Sequence, residues 1–471
     1  MNQIVGRRKE RRLLDRCLNS NKSEFVVVYG RRRIGKTFLI RNFFEDKYDF
    51  CYVGKHNYTY QDQLQAFAAA LKKYSGSQFD ISLKNWDEAF CNLATLLDNV
   101  KHDGKKTVFI DEMPWMDTRK SDFVSALESF WNSFAAFRDD IMLVACGSST
   151  SWIVDKILKN QGGLYNRVTM QIYLRPFNLG ETREYLRTIN CNWDTYQIAQ
   201  CYMIFGGVPY YYSLLDSGLS LAQNVDVLFF SSKNAVLRTE FSQLYASLFS
   251  NYEKYIDIIK ILIGRFEGFT RTEISKMAGY GGSQLSKILT DLERCDFVIA
   301  SNRTGGGVKN QIYRICDFYT LFYFKYVDNN LSFGRDFWQK ISSTQKILSW
   351  QGFSFELLCL LHRQQIEKAL GISGIITTVS TWRSKDNTAQ IDLVIERSDR
   401  LVNLCEMKFT TKQYAIADDY DRKLRERMAI FAEETKTQFP INYVFVTTYG
   451  VRNPQNHSIV SNEIVLEDLF G

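Results

Sequence analysis

Residues 30–37 read G-R-R-R-I-G-K-T, which is the residue spacing of a loop that binds nucleotide phosphates. An apolar run at residues 25–29 precedes the loop, and a helical pattern follows it. The two glycines allow backbone N–H groups to curl around phosphate oxygens, and Lys36 can reach the β and γ phosphates. Thr37 offers a hydroxyl to Mg²⁺. The segment therefore predicts a site for ATP and Mg²⁺.

A second sequence element, which is acidic, fits the same chemistry of nucleotide hydrolysis. The apolar residues 107–110 end in Asp111 and Glu112, and a helix-rich segment separates them from the phosphate loop. At the end of a buried strand, Asp111 would hold the Mg²⁺ shell, and Glu112 would orient or polarise the attacking water. The pair predicts catalysis of hydrolysis in addition to nucleotide binding.

Small hydroxyl residues follow another buried strand, predicted at residues 141–146. Ligands of open α/β sheets bind at the carboxyl ends of the strands, so Ser148 or Ser149 could sense the γ phosphate. A plain serine turn explains these residues equally well. Downstream, Arg167 could stabilise transferred charge, either within one chain or across a homo-oligomer of ATPase domains, or it could be an ordinary surface arginine.

Length and composition indicate several globular domains. The chain has 471 residues, of which 45% are hydrophobic and 24% charged. It lacks both a secretory apolar segment near its start and an apolar run of about eighteen residues, so we expect a cytoplasmic protein without a membrane partner. The formal charge of +7 permits a polyanionic partner without requiring one.

The middle of the chain predicts three helices followed by a hairpin, the pattern of a winged helix. Thr270 and Glu273 form a capping-box signature before the second helix, and glycines mark the hairpin tip at residues 302–307. Arg303 and Lys309 on the hairpin could touch DNA phosphates. The third helix mixes acidic and basic residues, which favours a packing or relay role over sequence-specific DNA reading.

Beyond residue 340 the pattern predicts a helix, three strands, a charged helix and a further strand. Glu356 lies on the first helix, Asp392 on the second strand, and Glu406 and Lys408 on the third. Because strand side chains alternate, Glu406 and Lys408 face the same way. The three carboxylates could chelate Mg²⁺ while Lys408 neutralises charge at a scissile phosphate. An ordinary Glu/Lys pair on a solvated hairpin is the alternative.

Five segments together resemble the archaeal-type ATPases of the STAND branch of AAA-like NTPases: residues 5–7, 30–37, 111–115, 147–148 and 205–209. The resemblance covers about residues 1–320. It implies a RecA-like parallel sheet, a helical lid, and ATP binding and slow hydrolysis used as a conformational switch. The final segment resembles the PD-(D/E)xK nuclease superfamily, with Ile391 in place of the proline of that motif.

The expected fold class is α/β, with a P-loop NTPase core at residues 1–180, a helical lid at 181–250, a winged helix at 251–335 and a restriction-endonuclease-like domain at 340–471. Nucleic acid, DNA before RNA, is the expected partner. The expected function is an ATP-controlled, metal-dependent nuclease. The alternative is a signalling or DNA-binding ATPase whose terminal domain does not cleave. The cofactor-binding residues would be Gly30, Gly35, Lys36, Thr37, Asp111 and Ser148.

Overall fold

The computed structural model describes residues 4–471 except 120, 160–161, 250, 305–310, 329, 331–335 and 454–457. The chain divides into two compact units, residues 1–175 and residues 176–471. None of the helices in the described part of the chain combines the length and the apolar composition that a membrane crossing requires.

The first unit is built on a five-stranded parallel sheet with strand order β2-β3-β4-β1-β5. Its strands are β1 (Glu24–Tyr29), β2 (Phe50–Val53), β3 (Lys106–Asp111), β4 (Ile141–Gly147) and β5 (Met170–Tyr173). Its helices are α1 (Arg8–Leu18), α2 (Lys36–Phe43), α3 (Tyr60–Ser75), α4 (Trp86–Asp98), α5 (Phe123–Ser133) and α6 (Thr150–Trp152). The predicted parallel α/β sheet is confirmed.

Burial explains why the central strands have continuous apolar sequences. The residues of β3 and β4 are all buried, because helices cover both faces of a parallel sheet. Side-chain caps fix where the covering helices begin. Asn85 accepts a hydrogen bond from the backbone N–H of Glu88 at the start of α4, and Thr59 forms a capping box with Asp62 at the start of α3.

The second unit begins with helices and then forms a small antiparallel sheet of order β6-β8-β7. The first helices are α7 (Leu179–Thr188), α8 (Thr195–Phe205), α9 (Pro209–Tyr212), α10 (Leu221–Val225) and α11 (Val236–Leu248). The next elements are α12 (Tyr252–Ile263), β6 (Phe269–Thr270), α13 (Arg271–Ala278), α14 (Gly282–Arg294), β7 (Val298–Ser301) and β8 (Ile312–Ile315). The capping box of Thr270 and Glu273 is present at α13.

A mixed sheet of order β13-β12-β11-β10-β9 completes the second unit. The pairs β9–β10 and β10–β11 are antiparallel, and β11–β12 and β12–β13 are parallel. The elements are α15 (Phe318–Phe322), α16 (Phe337–Ile341), α17 (Gln345–Leu361), α18 (Arg363–Ala369), β9 (Thr377–Arg383), β10 (Gln390–Arg397), β11 (Val402–Lys408), α19 (Asp418–Thr435), β12 (Ile441–Thr447) and β13 (Val460–Val465).

Four strands were absent from the sequence-based prediction: β2, β5, β6 and β13. Each is short or carries polar residues at positions that give no clear alternation, as in the sequence V-S-N-E-I-V of β13. Their pairing comes from neighbouring strands in the sheet, which a local pattern does not contain. Part of the predicted hairpin tip, residues 305–307, lies outside the described residues, and so does Lys309.

Candidate functional site

The phosphate loop connects the end of β1 to the start of α2 in the first unit. Gly35 precedes Lys36 with a φ of 86°, and Gly30 has a φ of 142°. A Cβ atom on Gly30 would lie 2.3 Å from the carbonyl oxygen of Leu174, so this position accepts only glycine. The loop thus presents backbone N–H groups at the amino terminus of α2, where the helix dipole favours an anion.

The side chain of Lys36 is hydrogen-bonded to the backbone of the phosphate loop. Its Nζ donates hydrogen bonds to the carbonyl oxygens of Gly30 at 2.9 Å and Arg31 at 2.8 Å. Arg7, at the start of the chain, adds a hydrogen bond from Nη2 to the carbonyl oxygen of Ile34 at 3.3 Å. Sequence reasoning noticed Arg7 only as part of a family motif and did not predict this contact with the phosphate loop.

The predicted magnesium ligands lie side by side. The Thr37 hydroxyl Oγ1 donates to Oδ2 of Asp111 at 2.7 Å, across the adjacent ends of α2 and β3. Oδ1 of Asp111 accepts the backbone N–H of Glu112 at 2.9 Å, and Asp111 is buried. A hydroxyl and a carboxylate are hard oxygen donors of the kind that Mg²⁺ prefers, so these two residues fit the ion.

Glu112 stands in a left-handed backbone conformation, with a φ of 47°. Its carboxylate accepts the Ser148 hydroxyl at 2.8 Å on Oε2 and 3.0 Å on Oε1, and the backbone N–H of Ser148 at 3.4 Å. A non-glycine residue in this conformation costs free energy, and such costs concentrate at functional sites. The turn after β4 therefore holds the predicted catalytic carboxylate in one orientation.

The neighbouring candidates differ from Ser148. Ser149 makes its described hydrogen bond through its backbone oxygen, which accepts the N–H of Ile153 at 3.1 Å. Arg167 is exposed in the turn that follows Gly162, with its backbone N–H bonded to Leu164 at 3.1 Å. No described contact joins Arg167 to the phosphate loop, so its role remains a prediction.

A second cluster of ionisable groups lies on the mixed sheet of the second unit. Leu393 of β10 pairs with Cys405 of β11, so Asp392 and Glu406 occupy adjoining positions on neighbouring strands. Burial, together with the charges of Asp392 and Glu406, raises the pKa of Glu356 on α17 to about 9. Burial likewise raises the pKa of Asp392. These three carboxyl groups and Lys408 are the four residues predicted from the sequence. They are close enough to affect one another electrostatically.

Both carboxylate oxygens of Glu406 are bonded to other side chains within this cluster. Its Oε1 accepts hydrogen bonds from the Tyr420 hydroxyl and from Nζ of Lys408, the latter at 2.7 Å, and its Oε2 accepts Nη1 of Arg427 at 2.8 Å. Burial alone would raise the pKa of Glu406, but Lys408 and Arg427 outweigh burial and lower it. Asp392 accepts the side-chain amide of Gln390 at 2.6 Å.

This bonding bears on the predicted metal site. Among the residues that the structure describes, no three Asp, Glu, His or Cys side chains are placed to share a metal ion. The predicted set of Glu356, Asp392 and Glu406 does not fit such an ion in this arrangement, because two cations and a hydroxyl already occupy Glu406. Sequence reasoning did not predict the contacts of Tyr420 and Arg427 with Glu406. Tyr420 and Arg427 are seven residues apart, which is two turns of one helix. This spacing was the sequence signal that the two side chains share a helix face.

Comparisons with known proteins support the first site. A model of the family described as an ATPase domain predominantly from Archaea matches residues 4–215. An uncharacterized protein of Methanocaldococcus jannaschii is 25% identical over 339 residues, which cover 70% of this chain and 70% of that protein. An uncharacterized ATP-binding protein of the same organism is 49% identical over 44 residues, covering 9% of this chain and 75% of that protein.

Among solved structures, a Walker-type ATPase of Pyrococcus abyssi has a TM-score of 0.50 and 15% sequence identity. The match covers 68% of this chain and 95% of that chain. At this identity the likeness concerns the fold alone, and it agrees with the parallel sheet and phosphate loop described above.

Proposed function

This chain carries an ATPase domain of the family found predominantly in Archaea, and from that premise we propose that residues 30–37, Asp111, Glu112 and Ser148 form its site of ATP binding and hydrolysis. The observation that carries the proposal is the hydrogen bond from Thr37 to Asp111, at 2.7 Å, beside a carboxylate held by Ser148. It supports the assignment because residues from three separate elements converge at one end of a parallel sheet.

Each residue has a chemical role in this proposal. The loop amides and Lys36 bind the phosphates, and Thr37 and Asp111 would hold Mg²⁺, which neutralises charge on the triphosphate when bound. Glu112 orients the attacking water and accepts its proton, and Ser148 keeps the Glu112 carboxylate in position.

Two variants separate binding from hydrolysis. Lys36→Ala should abolish binding of a fluorescent ATP analogue, and Glu112→Gln should retain binding while phosphate release falls by about 10²-fold or more. Lys84→Ala, which removes an exposed lysine of the same unit, is the matched control. Nucleotide affinity that survives Lys36→Ala, measured by titration, would exclude this site.

We propose a second function for the mixed sheet, the cleavage of nucleic acid. The clustering of Glu356, Asp392 and Glu406 with Lys408 supports it, since carboxylates beside a lysine serve phosphodiester hydrolysis. The ion pairs on Glu406 support the alternative, a terminal domain that retains the charged cluster without cleaving. As arranged, these carboxylates do not fit a metal ion.

The test is a cleavage assay on the whole protein. DNA and RNA are incubated with Mg²⁺ or Mn²⁺, with and without ATP, using the native chain, Lys408→Ala and the exposed control Lys412→Ala. Cleavage that Lys408→Ala alone removes supports the nuclease, and dependence on ATP supports control by the ATPase domain. Intact substrates under every condition favour the alternative.

We also infer that α12, α13, α14 and the β7–β8 hairpin form a winged helix. Three helices followed by an antiparallel hairpin support this interpretation. The carboxyl-terminal turn of α14 carries acidic Asp291 and Glu293 beside basic Arg294. This mixture of charges supports a packing role over sequence-specific DNA reading.

A further inference from the structure

A cleft in the second unit lies where the small antiparallel sheet meets the mixed sheet. Its charged lining residues are Arg265, Arg303, Arg314 and Arg383, together with Glu267 and Asp392. We call it the arginine cleft. Its guanidinium groups outnumber its carboxylates by two to one.

The two walls of the arginine cleft are joined by direct bonds. The backbone N–H of Thr304, after β7, donates to the carbonyl oxygen of Thr381 on β9 at 3.0 Å. The hydroxyls of Thr304 and Ser380 lie 2.7 Å apart and share a hydrogen bond. The cleft is therefore a formed part of the second unit, built from residues of both sheets.

Arg314 is the unusual residue of this cleft. Its side chain is only 3% exposed, and Nε has no hydrogen-bond partner. Within the described residues Arg314 forms no ion pair, although Asp392 lies near enough to affect its charge. A buried guanidinium N–H without a hydrogen-bond partner carries a cost of desolvation, which a bound anion would offset.

The other three arginines are in different states. Arg265 forms an ion pair with Glu273 at 2.8 Å, and Arg383 donates to Gln390 at 2.6 Å while Glu267 lies 3.5 Å away. Arg303 is exposed and forms no ion pair among the described residues. Two guanidinium groups, one buried and one at the mouth, are thus available to the same ligand.

We propose that the arginine cleft binds a phosphodiester group of a nucleic-acid strand, with Arg314 and Arg303 as its principal donors. Planar guanidinium groups match phosphate oxygens in pairs, which favours phosphate among anions. The proposal rests on the proposed nucleic-acid function of the mixed sheet, because Asp392 lines the same cleft.

Binding is measured without divalent metal, so that cleavage plays no part. A fluorescein-labelled single-stranded oligonucleotide is titrated with the full chain in EDTA, and anisotropy reports the Kd. Arg314→Gln and Arg303→Gln should each weaken binding about tenfold and reduce the slope of log Kd against log salt by about 1. Arg363→Gln, at an exposed arginine that begins α18, should leave both quantities unchanged.

Thermal unfolding separates ligand binding from a structural role. Removing a buried charge that forms no ion pair among the described residues should not lower the melting temperature of Arg314→Gln. If Arg314→Gln nevertheless fails to fold, the exposed position Arg303 decides the question. Arg314→Lys keeps the charge and loses the planar fork, so it should recover only part of the affinity.

The outcomes have distinct meanings. Native affinity in Arg314→Gln and Arg303→Gln, or no binding by the native chain, overturns the proposal. Binding of inorganic phosphate at this cleft, without oligonucleotide binding, also overturns it, because the ligand is then a free anion. A parallel cleavage assay with Mn²⁺ tests the nuclease separately. Arginine-dependent binding without any cleavage removes the nuclease and leaves this site intact.

Discussion

Replacing Ser148 with alanine removes a side-chain hydroxyl that is bonded to Glu112. The hydroxyl contacts both carboxylate oxygens, at 2.8 and 3.0 Å. A hydrogen bond to a charged group contributes about 1.5–3 kcal/mol, and about 1.4 kcal/mol corresponds to a tenfold change in rate. We therefore expect Ser148→Ala to lower the kcat of ATP hydrolysis about tenfold to a hundredfold. ATP affinity should stay nearly unchanged, because the phosphate-binding groups are intact.

The adjacent serine provides a matched control. Ser149→Ala removes the same atom one residue away, where the structure describes no bond to Glu112, so its kcat should equal that of the native chain. Steady-state phosphate release gives kcat, and titration with a fluorescent ATP analogue gives affinity. Equal kcat values for Ser148→Ala and the native chain, or a rate increase in Ser148→Ala, would refute the positioning role of Ser148.

Three other perturbations test packing and buried charge. Gly30→Ala should destabilise the first unit by roughly 3 kcal/mol and abolish nucleotide binding, whereas Gly76→Ala, with a φ of 65° and open space around it, should cost about 1 kcal/mol in chemical denaturation. Burial lowers the pKa of His362 to about 4, so stability should fall by about 2 kcal/mol from pH 7.5 to pH 5, and this loss should be absent in His362→Gln. Glu356→Gln should become progressively more stable than the native chain between pH 4.5 and pH 9, because only the native chain must release a proton on unfolding; equal pH profiles would contradict this.

The nucleotide site could be predicted from sequence to the extent that its chemistry is local. The phosphate loop that carries Lys36 and Thr37 follows a buried strand directly, and Asp111 ends another strand, so strand position and residue type suffice to bring them together. The choice between Ser148 and Ser149 could not be made this way. Two adjacent serines carry the same sequence signal, and only the backbone turn after β4 determines which hydroxyl reaches Glu112.

The second unit contains tertiary contacts that local sequence patterns do not predict. The helices and strands near Glu356, Asp392 and Glu406 follow from periodicity, and β9, β10, β11 and β12 lie close to their predicted bounds. The approach of Arg314 to Asp392 joins two sheets that are distant in sequence, and no local pattern predicts it. Such contacts arise from tertiary packing, which overrides what neighbouring residues indicate.

The two acidic sites differ in what stabilises their carboxylates. Asp111 and Glu112 accept hydrogen bonds from hydroxyl and amide groups, which carry no positive charge and leave the negative charge of the carboxylates available to a cation. Glu406 instead binds Lys408 and Arg427, which already supply two positive charges. A cation should therefore bind the first pair without rearrangement, whereas at Glu406 it must compete with bonded side chains. Arg427→Gln removes one of those competitors, so Mn²⁺ should raise the melting temperature of this variant more than that of the native chain. An equal shift in both proteins would show that Arg427 does not limit cation binding.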